Sequence, residues 1–438
     1  MRSPLYPVFS ATAVAMLLLV ACSGNIAPAE APVAMPSVAF MSDVHFENVY
    51  GDLKNAQFNG IPTKDGKNAT IRTMYAELTS TRLFNENYFA FRAALDDAYG
   101  KGIRLVALPG DYSDDAQPVN INGISDILHE YQAKGMRFFM APGNHDPDEP
   151  YDNDEAGKND FLTKDGKEQK VYAINNAACT AKDPSVVCTN QLMELGYENL
   201  IAKLADFGFM PNKADLHWET PFSKYTDGKY SYDQALASGD VKNRQFEICA
   251  EGEGGSYKAE GEKALGKPFT KCSSIIDSSY LVEPVKGLWL LSIDANVHIP
   301  NSNFEPANPK VFKGFDGAGN AGWNKVLTHK KHQMEWIIGD RARQGAGQAA
   351  DGVFPLPDHG LLRQPDQRDE GRLQAGRLPD RAGTGSGDHQ CIGGDRPAVA
   401  YWRPHALQRY QIIRTLQVTS WSTCSRRRSL SMAPPTRS

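Results

Sequence analysis

An α/β fold on a parallel sheet is predicted by three observations. Short apolar runs of strand length alternate with stretches of helical spacing, each run ends in a polar turn, and every polar cluster falls just after the C-terminal end of a run. Residues 38–42 (VAFMS) read as a first buried strand. Residues 83–99 have helical apolar spacing, and Gly100 and Gly102 stop it. Residues 103–108 (IRLVAL) form a second strand run, 121–134 a helix, and 136–141 (MRFFMA) a third strand. Right-handed crossovers would make these strands parallel neighbours, and ligands of such sheets bind at the C-terminal edge. Residues 51–80, rich in Gly, Asn, Lys and Thr, read as a long loop on the rim of that edge. Residues 147–280 read as a polar insertion with little periodicity. Residues 287–295 (GLWLLSIDA) resume the sheet, and 323–338 give a further helix.

The chain has 438 residues, 41% of them apolar and 23% charged, enough for one large domain with insertions or for two average ones. A net charge of −5 argues against a nucleic-acid surface, which needs a clustered positive patch. Oligomeric state is not legible.

The N-terminus reads as a targeting segment. Arg2 supplies a weak positive region, and residues 11–21 form an apolar run of about eleven residues, too short to span a bilayer. The run ends Leu19-Val20-Ala21-Cys22, which resembles a bacterial lipobox. Residues 1–22 are thus expected to be a lipoprotein signal peptide, with lipidated Cys22 anchoring an exported protein to a membrane. Its expected place is the periplasmic or outer-membrane face. Residues 23–36 would be a flexible Ala/Pro tether. Export puts the cysteines in an oxidising compartment. Cys179 and Cys188 lie close in sequence, as do Cys249 and Cys272. Two local disulfides are the simplest pairing of the three connectivities possible.

Three motifs carry chemistry: Asp43-Val44-His45, Gly110-Asp111-Tyr112-Ser113-Asp114-Asp115 and Gly143-Asn144-His145-Asp146. The Asp-x-His spacing lets a carboxylate and an imidazole leave one strand end toward the same point. Carboxylate oxygen with imidazole nitrogen suits divalent Mn, Fe, Zn or similar ions. Asp-x-His alone is weak and Gly-Asp weaker; Gly-Asn-His-Asp after a strand is more specific, and all three in order, each after a strand, form a strong joint signal. Asp114 and Asp115 suit either ligand orientation or a helix start. His217 and His298 read as ordinary packed histidines.

In these motifs the chain resembles the calcineurin-like metallophosphoesterase superfamily over roughly residues 38–340. The resemblance implies a four-layer α/β/β/α sandwich and two divalent metal ions. Asp43 and His45 would hold the first ion, Asp111 would bridge both, and Asn144 would bind the second. His145 would stand beside the substrate phosphate, with Asp146 orienting its ring. Water activated between two ions would then hydrolyse a phosphomonoester or phosphodiester.

The superfamily completes its site with two later motifs, a His at a strand end and a Gly-His-x-His pair, and neither stands in this sequence. After about residue 340 the composition turns to Arg, Gly, Pro, Gln and Asp, and strand runs largely vanish. Residues 341–438 are therefore expected to form an aberrant tail without regular structure. The genetic code offers a second account. Read one nucleotide later, codons permitted for 353–357 (VFPLP) include Phe-Ser-His-Tyr-Pro. Those for 400–406 (AYWRPHA) include His-Ile-Gly-Gly-His-Met-His. Both missing motifs appear in the same shifted frame and in the superfamily's order, so His359, His389 and His405 are not candidate ligands. Two other readings compete. One is a non-catalytic exported lipoprotein that binds a partner through its disulfide-bearing insertion. The other is a calcium-binding structural domain, which would use oxygen ligands alone.

Overall fold

The computed structural model describes residues 36–180, 183, 185–251, 258–317 and 323–345, and two short strands at 399–400 and 411–413. All belong to the compact unit Pro36–Ser438. The predicted leader and all of the tether but residue 36 lie outside these residues, as does most of the predicted tail.

The core is a parallel sheet of β1 (Val38–Phe40), β2 (Leu105–Pro109) and β3 (Arg137–Ala141), in that order. Val38 pairs with Leu105 and Leu105 with Arg137, all parallel. β2 is buried along its whole length, as a strand covered on both faces must be, which explains its unbroken apolar run. The crossovers are helices α1 (Phe84–Gly100) and α2 (Pro118–Ala133). α1 buries Phe84, Phe91, Leu95 and Ala98, one stripe of a 3.6-residue period. α2 buries Val119, Ile121, Ile124, Ile127, Leu128 and Tyr131. Each fully buried large side chain contributes about 1.5–3 kcal/mol. Pro118 starts α2 where a backbone N–H would have no helical partner anyway, three residues before the expected start.

The span 147–280 is more ordered than its weak periodicity promised. It holds a three-stranded sheet of β4 (Lys158–Leu162), β5 (Glu168–Ala173) and β6 (Val187–Thr189). It also supplies β7 (His217–Glu219) and the paired strands β8 (Gln245–Cys249) and β9 (Cys272–Ile276). β7 joins a second sheet with β10 (Tyr280–Val285) and β11 (Leu288–Ser292), all antiparallel. The two sheets meet at β3: the Tyr280 hydroxyl donates to the Met140 carbonyl at 2.8 Å, and Arg137 Nη1 to that of Pro284 at 3.1 Å. Parallel core, flanking helices and second sheet agree with the predicted sandwich. The loop read at 51–80 is pinned by Leu53 and Phe58, which pack with Val119 of α2 and with Phe161, Val171 and Val187. Its end forms a short helix, Met74–Thr79, capped by the Thr73 side chain.

Two disulfides, Cys179–Cys188 and Cys249–Cys272, follow the local pairing, the second joining directly opposed residues of β8 and β9. The predicted helix at 323–338 is two, Trp323–His329 and Lys331–Gly345, broken at Lys330. Lys330 is fully buried, its Nζ 3.1 Å from Asp294 Oδ1 and 2.9 Å from the Asp294 carbonyl. The break thus places a paired charge behind the segment that leaves β11. Part of the region expected to lack structure is also regular: 411–413 runs antiparallel to β1, and 399–400 parallel to β11. Their two and three residues are too short for any sequence period to register.

Candidate metal centre

Because β1, β2 and β3 are parallel, the turns after Phe40, Pro109 and Ala141 share one edge of the sheet. Backbone bonds knit them together. Asp43 N donates to Gly110 O at 3.3 Å, His45 N to Asp111 O at 2.8 Å, and His145 N to Asp111 Oδ1 at 3.0 Å. Asp43, His45 and Asp111 all have positive φ, at 52°, 41° and 47°. Such conformations cost L-residues about 1–3 kcal/mol each and cluster where function demands them. Gly143 is required by contact: a Cβ there would lie 2.2 Å from Asp111 N and Oδ1.

The side chains of Asp43, His45 and Asp111 converge, with one ligand atom from each within 4.8 Å of the others. His45 Nε2 lies 3.8 Å from Asp111 Oδ2, and its buried Nδ1 has no hydrogen-bond partner. Burial, aided by the Arg82 charge, lowers the His45 pKa to about 4, so the imidazole is neutral and its lone pair open to a cation. Burial raises the Asp111 pKa, and the neighbouring Asp43 charge adds to it; a bound cation would relieve both. Two carboxylates and a neutral imidazole therefore fit one divalent ion. Asn144, expected to bind a second ion, stands between Gly143 and His145 in the turn against Asp111.

The structure departs from expectation at Asp146. Its carboxylate is fully buried beneath the turn and accepts from Tyr112 N at 2.6 Å, Ser113 N at 3.2 Å and the Ser113 hydroxyl. No bond to the His145 ring is seen. Adjacent residues in a tight turn send their side chains apart, and this one braces the Asp111 turn from below. The ring is held by Asp115, whose Oδ1 lies 2.6 Å from His145 Nδ1. Burial pulls the His145 pKa down, but the Asp115 bond outweighs it and leaves the pKa raised. The His145 ring sits 5.3 Å from that of His45, edge to face. Asp115, at φ 54°, lies two residues before Gln117, the residue that caps α2, so it does not start that helix.

Three further residues shape the centre that the motifs did not reveal. Asn296 Nδ2 donates to Gly143 O at 2.7 Å and ties the second sheet to the Gly143 turn. Arg82, just beyond the segment read as a rim loop, pairs with Asp114 and reaches the His145 ring. Glu194 is pushed up to about 8 by burial and by the nearby Asp115 and Asp148 charges. His217 instead pairs with Glu219 at 3.1 Å beside Trp289. His298 is fully buried, its pKa lowered by burial to about 3, and packs on Tyr197. Neither joins the cluster.

Residues 36–242 match the calcineurin-like phosphoesterase family, a span holding all three motifs. No curated protein gave a significant match. Sheet edge, candidate ligand cluster and matched span agree, and residues 36–242 are a calcineurin-like phosphoesterase domain.

Proposed function

We propose that this chain hydrolyses a phosphomonoester or phosphodiester with a metal-activated water, at the edge built by Asp43, His45, Asp111, Asn144 and His145. The observation that carries the proposal is the convergence of Asp43, His45 and Asp111 with the His145 ring 5.3 Å from His45. Divalent ions at such a site lower the pKa of bound water and neutralise charge on the phosphoryl oxygens. The chain's own residues do the rest. Asp43, His45 and Asp111 would hold a first ion, and Asp111 with Asn144 would hold a second. Asp115 fixes the Nδ1 side of His145, which turns Nε2 to the substrate side as a donor to phosphate or leaving group.

Chelation followed by dialysis is expected to abolish hydrolysis of bis-p-nitrophenyl phosphate, and added Mn²⁺ to restore it. His145→Ala is expected to lower kcat about 10²–10⁴-fold while bound metal stays near the wild-type level. Activity that survives chelation would sink the proposal.

Export and anchoring belong to the same proposal. Among the described residues no helix is long and apolar enough to cross a membrane, so attachment would rest on Cys22. Cys22→Ser is expected to move the protein from the membrane to the soluble fraction while export continues. An unchanged membrane fraction would assign the anchor elsewhere.

A further inference from the structure

We infer that Arg82 is a substrate-binding residue, whose guanidinium takes a non-bridging phosphate oxygen together with His145. The inference deepens the hydrolase reading and rests on it for the identity of the ligand, a phosphate oxyanion.

Arg82 lies in the short connection between the Met74–Thr79 helix and α1, where its backbone N–H donates to the Ser80 hydroxyl at 3.1 Å. Its two terminal nitrogens are treated differently. Nη1 is engaged by carboxylates: it pairs with Asp114 Oδ1 and lies 3.6 Å from Asp115 Oδ1. Asp114 is nearly covered and is also approached by Arg72 at 3.7 Å, so this arm is an anchor. Nη2 lies 3.0 Å from His145 Nδ1 and 2.9 Å from Nε2. A nitrogen almost equally far from the two ring nitrogens is in line with neither of their in-plane lone pairs. Nδ1 is moreover committed to Asp115 at 2.6 Å. The second arm is thus shared between two ring nitrogens, in line with the lone pair of neither, although a guanidinium N–H binds charged acceptors more strongly.

Position says what the acceptor would be. Arg82 keeps 18% of its side chain exposed, so the arm can be reached from solvent. It stands against the imidazole that neighbours His45 and the ligand cluster. The edge is crowded with carboxylates: Asp43, Asp111, Asp114 and Asp115. A phosphate entering it needs cationic donors of the chain's own. Arg72 is not available for this, being nearly buried and turned to Glu47, Asp114 and Asp160. Arg82 is anchored at one end and open at the other. A planar fork of that kind suits a tetrahedral oxyanion better than a lysine ammonium does.

The test is orthophosphate affinity of the full chain, by calorimetry, with and without Mn²⁺, in wild type, Arg82→Ala, Arg82→Gln and Arg82→Lys. Metal content and melting temperature are measured beside it. The expected result is affinity weakened roughly tenfold or more in the Ala and Gln variants under both conditions, with Lys between them and wild type, and metal content unchanged. If Ala fails to fold, Gln decides, since it keeps hydrogen bonding to Asp114 without the charge. Phosphate affinity equal to wild type in a folded Ala or Gln variant would overturn the inference, as would a wild type that binds no phosphate. The hydrolase reading fails separately. A wild type that binds phosphate equally well with and without Mn²⁺ and hydrolyses no ester would sink it, while the variant series still decides Arg82.

Discussion

Asp111→Asn is expected to remove most of the bound divalent metal and to lower hydrolysis by about 10³-fold or more, whereas Asn144→Ala leaves the larger share of metal in place. Asp111 stands at the centre of the edge. Its backbone receives His45 N, its Oδ1 receives His145 N at 3.0 Å, and its Oδ2 lies 3.8 Å from His45 Nε2. An amide in its place keeps the size but removes a charge and turns one donor atom into an N–H, which repels a cation. Asn144 is neutral and is proposed for the second ion alone. Elemental analysis of the two purified variants, with melting curves to confirm folding, reads the difference. Equal metal loss would show that Asp111 holds one ion only.

The legible parts of this centre were local in sequence. Asp-x-His and Gly-Asn-His announce themselves because both polar side chains sit on one turn, and the apolar runs before them place each turn at a strand end. What escaped was assembled from afar. Arg82 reaches His145 across 63 residues, and Asp115 across 30. Asn296 meets Gly143 across 153. No periodicity encodes such pairings. Asp146 misled for a related reason: an Asp beside a His suggests a pair, yet the backbone amides of Tyr112 and Ser113 were in better position to claim it. The second sheet was half visible. β11 is a plain apolar run, while β7 is three residues, His217-Trp218-Glu219, which find their partners only in β10.

The chain as given is expected to be a weaker phosphoesterase, by about 100-fold or more, than one encoded by a gene recoded so that everything after codon 343 is read one nucleotide later. The case rests on the donor count. Among the described residues, Asp43, His45 and Asp111 could offer three ligand atoms to one ion. Among the described residues, the donors proposed for a second ion are the other oxygen of Asp111 and the amide of Asn144. Neutral imidazoles are the donors that borderline divalent ions prefer alongside carboxylates, and they fix geometry as well as affinity. In the shifted frame the codons for 353–357 and 400–406 can supply three of them, in the order this superfamily uses. Two bound ions would supply more charge neutralisation and better positioning of the reacting oxygens than one. Sequencing the DNA around codons 336–350 checks the premise directly. The decisive comparison is metal stoichiometry and hydrolysis of an activated phosphodiester by the two products, side by side. A recoded protein that binds no more metal and works no faster would show that residues after 340 complete the site in the frame in which they are written.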